Sequence, residues 1–290
     1  MYTDAHLHLA DYFECRTDEG ITDSLFAQPT IVCCSAHNRA EFERQQTITK
    51  RLAEQKIYPK PSRVLFSFGI HPQNPVRDEF DFLRQLLETK CIQAIGECGF
   101  DLFDAHYKRM LPAQQQVWEM QLALAQEFHI PLVIHCRKAL PLIFESMQQL
   151  KKLPAVIFHG WGGSPQEAAA FLRKGVNAYF SLGKAVLRGQ KTVCAMAMDF
   201  DIHRLLTETD APYMKLKDEP YSHPQDIAAV ALHCAALRKY GRAAIRSFAS
   251  TTDVLSAAEQ AYPALNEEDT LQFLNTIAGN FTRAFGLYLH

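Results

Sequence analysis

Eight short apolar runs, rich in β-branched residues and separated by helical stretches, constrain this chain most. They are Tyr2–His6, Thr30–Cys34, Val64–Gly69, Ile92–Glu97, Leu132–His135, Ala155–His159, Val176–Ser181 and Leu205–Glu208. Strand signals alternating with helix signals predict a parallel sheet. Runs as continuously apolar as Leu132–His135 and Ala155–His159 predict strands buried on both faces. Eight such units are the number that closes a (β/α)8 barrel of the TIM type. An open doubly wound sheet carries the same local signature, so the count alone leaves both architectures standing. The 290 residues, 48% of them hydrophobic, suffice for one large domain spanning 1–290.

Helix boundaries can be read at several points. Pro112 suits a first helical position, and Gln114–Phe128 places Val117, Gln121 and Leu124 at helical spacing. Ser164-Pro165-Gln166-Glu167 reads as a capping box with Pro at the first helical position, and Gly175 as the stop. Pro224–Tyr240 reads as an apolar helix closed by Gly241, and the remainder to His290 as further helices.

The residues that end the apolar runs favour a closed barrel over an open sheet. Asp4, His6 and His8 close the first, Glu97 the fourth, His135 the fifth, His159 the sixth, and Glu208 with Asp210 the eighth. A closed barrel brings all strand ends to one face, whereas an open sheet leaves the first and last far apart. On an extended segment residues two apart share a face, so Asp4, His6 and His8 are expected to point one way. A buried carboxylate such as Glu97 needs a partner, and its two oxygens can serve two ions. Mixed imidazole and carboxylate donors suit zinc, manganese and similar ions, and magnesium if water completes its shell. Asp210, before Ala211-Pro212, either caps a turn or binds an ion and takes a proton from water. Glu208 either shares that face or acts as a supporting or third-metal carboxylate.

Composition excludes some classes. The formal net charge of -2 argues against a broadly basic nucleic-acid surface and predicts weak salt dependence of any non-specific DNA binding. Eight cysteines without a C-x-x-C pair read as reduced, mostly buried thiols, and Cys136 as packing. The first residues lack the basic patch and apolar stretch of a signal peptide, and no apolar run reaches the roughly 20 residues that span a bilayer. A soluble, cytoplasmic protein without membrane contact is the expectation.

The motifs together resemble the TatD family of metal-dependent deoxyribonucleases, within the amidohydrolase-like barrels. The resemblance is carried by Asp4-Ala5-His6-Leu7-His8, Gly69-Ile70-His71-Pro72, Gly96-Glu97-Cys98-Gly99-Phe100-Asp101, His135-Cys136-Arg137, His159-Gly160, Glu208-Thr209-Asp210-Ala211-Pro212-Tyr213 and Asn280-Phe281, through nearly the whole chain. It implies a two-metal site at the C-terminal strand ends. His6, His8, Glu97 and Asp210 would hold one divalent ion (Mg, Mn or Zn). Glu97, His135 and His159 would hold the second, with Glu97 bridging and Asp210 activating water. The implied activity is metal-dependent phosphodiester hydrolysis on DNA, of the 3'-5' exonuclease type. Alternatives are hydrolysis of small esters, amides or aminoacyl ends, or a non-catalytic binding barrel.

Around that centre the roles divide. His71 is either a substrate neighbour or a turn residue before Pro72, and Arg137 either a phosphate contact or a surface salt bridge. Trp161 and Tyr213 are either base-stacking rings or packing. The chain departs from the family's pattern at Lys217-Asp218-Glu219-Pro220, at His159-Gly160-Trp161-Gly162-Gly163 and in Leu102–Leu111, all in expected substrate loops.

Overall fold

All eight expected strands form, and they lie side by side in chain order. They are β1 (Tyr2–Leu7), β2 (Thr30–Ala36), β3 (Arg63–Phe68), β4 (Ala94–Asp101), β5 (Leu132–Arg137), β6 (Val156–Phe158), β7 (Ala178–Leu182) and β8 (Leu205–Thr207), each parallel to the next. The computed structural model describes residues 1–15, 25, 28–54, 63–248 and 254–287. The helices are α1 (Leu9–Cys15), α2 (Arg39–Glu54), α3 (Phe80–Glu88), α4 (Ala105–Arg109), α5 (Leu111–Glu127), α6 (Leu140–Glu145), α7 (Met147–Leu150), α8 (Pro165–Arg173), α9 (Lys191–Asp199), α10 (Ile227–Tyr240), α11 (Val254–Ala261) and α12 (Glu267–Ala284). At least one helix follows every strand, as a barrel of parallel strands requires.

The sheet curls until β8 returns to β1. The seam is closed by Thr207 Oγ1 donating to Thr3 O (2.8 Å), Asp210 N to His6 O (2.9 Å) and His8 N to Ala211 O (2.7 Å). Inside the barrel, Ala5, Ile31, Cys33, Leu65, Ala94, Val133, Ile157, Tyr179 and Leu206 form one apolar cluster. Phe281, Ala284 and Phe285 of α12 and its exit join that cluster and plug the N-terminal end. Asn280 anchors the plug, donating to the carbonyls of Ile202 (2.6 Å), just before β8, and Leu205 (2.8 Å), its first residue. That is the structural work of the Asn280-Phe281 motif. A second, larger apolar layer fills the space between sheet and helices.

Several sequence readings shift by a few residues. The capping box at Ser164 and Glu167 forms and starts α8, and Pro112 lies in the first turn of α5. The helix expected from Pro224 begins as a short 3-10 turn and becomes α10 at Ile227. Of the helices expected to the end of the chain, 249–253 and 288–290 lie outside the described residues. Strand β6 stops at Phe158, so His159 stands just beyond it. Glu97 does not end its strand: β4 runs on to Asp101, with a break in its pairing to β5 between Ile95 and Cys98. Gly96 makes that break sterically feasible. Its φ is +138°, and a Cβ there would lie 2.4 Å from the Val133 carbonyl oxygen.

All eight cysteines are free, and five are buried. Among the described residues no helix is long and apolar enough to cross a membrane.

Candidate metal centre

The strand ends surround an open pocket of about 490 Å³ whose lining includes His8, His37, His71, Glu97, His135, Arg137, His159, Asp210 and Tyr213. A larger groove, about 1130 Å³, runs along the outside of α12 by His203 and carries no convergent histidine and carboxylate group.

Glu97 is the centre of the pocket. Its Oε2 faces His6 Nε2 (3.1 Å), His8 Nε2 (3.5 Å) and His37 Nε2 (3.4 Å). Its Oε1 faces His71 Nε2 (3.3 Å), His159 Nε2 (3.3 Å) and, in very close contact, His135 Nδ1. Asp210 Oδ1 completes one side, 3.9 Å from His6 Nε2 and 3.7 Å from His8 Nε2. Asp210 has φ of +52°, a conformation Asp tolerates better than most residues. The backbone bonds Asp210 N to His6 O and Tyr213 N to Asp210 O hold it there.

These separations fit a cation. Donor atoms about 2.0–2.2 Å from a shared ion in a tetrahedral shell lie roughly 3.3–3.6 Å apart. His6, His8 and Glu97 Oε2 form one such group, and Asp210 Oδ1 adjoins it through its two imidazoles, with these separations running from 3.1 to 3.9 Å. Glu97, His135 and His159 form another. Each of these four imidazoles also turns its second nitrogen to an oxygen. His6 Nδ1 meets Ser35 Oγ (3.0 Å), His8 Nδ1 faces Glu41 Oε1 (3.6 Å), His135 Nε2 meets Asp101 Oδ2 (3.1 Å), and His159 Nδ1 meets Glu208 Oε1 (3.1 Å). Such outer oxygens fix tautomer and orientation in metal-ligating histidines.

The charges are in tension. Burial works against ionisation of Glu97, yet His159, His71, His135 and His6 hold its carboxyl well below the usual range. Burial pushes Asp210 up to about 6, with His159 and His8 pulling the other way. Burial and repulsion from His159 hold His6 well below an ordinary imidazole. His159 rises to about 10 despite burial, because Glu208, Glu97 and Asp210 favour its cation. Neighbouring imidazoles driven in opposite directions mark a buried acidic set that requires positive charge, from protons or from metal ions.

The remaining sequence candidates separate. Glu208 is fully buried behind His159, facing its outer nitrogen, and accepts from the Gly160 amide (2.7 Å). Asp4 does not face the pocket with His6 and His8. Pairing of β1 with β2 shifts register between Asp4 and Leu7, so the simple alternation fails. Asp4 instead accepts from the amide and hydroxyl of Thr209. Trp161 is core, buried against Phe158, Phe171 and Phe180. Tyr213 is 58% exposed at the mouth and donates to Asp11 Oδ2 (2.6 Å). Arg137 lies at the rim, 3.7 Å from Asp101 and 4.1 Å above the exposed Phe103 ring, which Lys138 also overlies at 4.4 Å.

A model of the family described as TatD related DNase matches residues 3–263. This chain belongs to the TatD family. The TatD proteins of Pantoea ananatis and Yersinia pseudotuberculosis, each named a 3'-5' ssDNA/RNA exonuclease, are 35% identical over 157 residues and 34% identical over 158. Each match covers 52% of this chain and 58% of the relative, so the chain spans under two thirds of the length of these relatives. The crystal structure of a TatD homologue from Escherichia coli K12 shares the barrel fold, with a TM-score of 0.68 at 20% identity over 99% of this chain and 98% of that one. A TatD family hydrolase from Entamoeba histolytica gives 0.68 at 17% identity, over 98% and 97%.

Against the TatD motifs, the sequence reading missed four residues. His37 follows β2 as the other histidines follow their strands, a signal that was available. Glu41 lies one helical turn later. Phe103 sits in the departing Leu102–Leu111 segment. Lys184, after β7, is fully buried between Glu219 (2.6 Å) and Asp226 (2.7 Å) and so ties down the Lys217–Pro220 loop.

Proposed function

We propose that the chain, as one unit over 1–290, is a metal-dependent phosphodiesterase that shortens single-stranded DNA or RNA from the 3' end. The supporting observation is Glu97, whose two oxygens each face a separate set of histidines from different strands. His6, His8, Glu97 and Asp210 would hold one ion, and Glu97, His135 and His159 the other. Two divalent ions (Mg, Mn or Zn) held there would supply Lewis acidity toward a phosphodiester and ease the ionisation of water.

The protein's own groups do the rest. Asp210, at the mouth side of the His6 and His8 pair, accepts the proton of the attacking water. The new oxygen–phosphorus bond forms as the bond to the leaving sugar oxygen breaks, and that oxygen leaves as a hydroxyl, taking a proton from solvent water. Arg137 and the exposed Arg188 line the pocket and favour an anionic substrate there. His71 Nδ1 accepts from the Gln73 amide (3.2 Å), which leaves the proton on Nε2 for donation to Glu97 or to substrate. Eight free cysteines support a reducing, cytoplasmic setting.

The experiment compares wild type and Asp210→Asn after chelator stripping and reloading with magnesium, manganese or zinc. The substrates are 3'- and 5'-labelled single-stranded oligonucleotides, a simple phosphodiester and a carboxylic ester. Metal-restored shortening from the 3' end, lowered at least about 10²-fold by the substitution, is expected. Cleavage of the carboxylic ester alone would replace this reading with a small-ester hydrolase.

A further inference from the structure

His37 and Glu41 are the part of the pocket that the proposed reaction leaves unused. His37 Nε2 lies 3.4 Å from Glu97 Oε2, the oxygen that also faces His6 and His8. The His37 and His8 rings stand 4.7 Å apart. Glu41, in the first turn of α2, is buried beneath both. Its Oε2 accepts from the His37 amide (2.7 Å) and lies 3.9 Å from His37 Nδ1. Its Oε1 lies 3.6 Å from His8 Nδ1. Both Glu41 Oε1 and His8 Nδ1 are buried without a hydrogen-bond partner, and they face one another. Two such orphans are costly apart and are satisfied together by a small approach.

His37 thus repeats the pattern of the four imidazoles already assigned, with one nitrogen toward Glu97 and the other toward an outer oxygen. His71 does not. Its Nδ1 accepts the Gln73 amide, so Nε2 is protonated and offers no lone pair to a cation. Nothing else donates to a ring nitrogen of His37 among the described contacts, and its Nδ1 faces only carboxylate. A proton on Nδ1 leaves Nε2 bare and directed at the Glu97 Oε2 side.

We propose that His37 supplies an additional nitrogen donor to the cation site of His6, His8, Glu97 and Asp210, and that Glu41 is the positioning carboxylate for both His8 and His37. This rests on the metal-binding reading of the pocket. Glu41 acts through the two imidazoles and touches no reacting atom.

The test measures metal affinity and stoichiometry on the full chain, with zinc and a chromophoric chelator as competitor. His37→Ala, His37→Asn, Glu41→Gln and the His37→Ala/Glu41→Gln pair are compared with wild type, each checked for native circular dichroism. Cobalt(II) spectra report coordination number independently of turnover. Both His37 variants should weaken one ion by about 10–100-fold and leave the other unchanged. Their cobalt d–d band should intensify, as expected when a donor is lost toward four-coordination. Glu41→Gln should weaken the same ion, and should still do so in the His37→Ala background, because His8 also depends on it. Unchanged zinc titrations and cobalt spectra in both His37 variants would overturn the inference while leaving the metal site intact. If wild type binds no more zinc than a His135→Ala/His6→Ala control, the metal-binding reading itself fails.

Discussion

Asp4 and Thr209 join the first strand of the barrel to the last. The Asp4 carboxylate accepts from the Thr209 amide at 3.0 Å and from its hydroxyl at 2.6 Å, and all of these groups are buried. Thr209 lies one residue before Asp210, so this contact sets where Asp210 stands against His6 and His8. Thr209→Val keeps the shape and the amide bond but removes the hydroxyl. It should cost about 1–3 kcal/mol in urea unfolding and lower affinity for metal. An unchanged midpoint would show that the seam does not depend on this bond.

Glu97→Asp tests whether one carboxylate serves both sides of the pocket. The side chain keeps its charge but is one methylene shorter, so its oxygens withdraw from both sets of histidines. Misplacement on this scale should lower turnover by about 10²-fold or more. Bound zinc, counted by elemental analysis, should fall by at least one equivalent per chain. Retention of wild-type metal content and rate would exclude Glu97 as the shared group.

Phe103 holds two cations at the rim through Arg137 and Lys138. Contacts of this kind are worth about 0.5–2 kcal/mol. Phe103→Ala should raise KM for oligonucleotides by roughly 3–10-fold, with kcat and the rate on a small phosphodiester unchanged. Equal effects on both substrates would indicate damage to the centre instead.

His233, far from the pocket on α10, sets a pH limit on stability. It is fully buried, with Nδ1 against the Tyr262 hydroxyl, and burial lowers it to about 4. Its unfolded value is about 6.5, so the folded state resists the proton that the unfolded chain accepts. Its contribution is complete above pH 6.5 and declines as pH falls toward 4, by about 3 kcal/mol in all. Denaturation of wild type and His233→Gln at pH 7.5 and 4.5 should show the smaller pH loss in the variant. Equal losses would mean that other groups carry the acid sensitivity.

Most of the barrel was legible because apolar runs and helix caps act locally. Ser164, Pro112 and Gly175 were read correctly for that reason. The site was legible where a polar residue interrupts or ends an apolar run, which brought out His6, His8, Glu97, His135, His159 and Asp210. Asp4 was misread because alternation presumes an even ladder, and β1 slips register after it. Glu97 was placed at a strand end because nothing local shows that β4 resumes at Cys98. The pairing of Lys184 with Glu219 and Asp226 is not legible locally, because it spans about 40 residues and a lone lysine reads as surface.

The pocket draws its donors from His6 near one end of the sheet and Asp210 at the other, so no stretch of the chain owns a complete set. A nascent polypeptide must make every strand from the first to the eighth, and dock the eighth on the first, before Asp210 joins His6 and His8. In the proposed site, an ion held by His6, His8 and Asp210 would therefore be captured late in biogenesis. An ion that binds only the finished barrel rewards complete folding and leaves truncated or stalled products without that stabilisation.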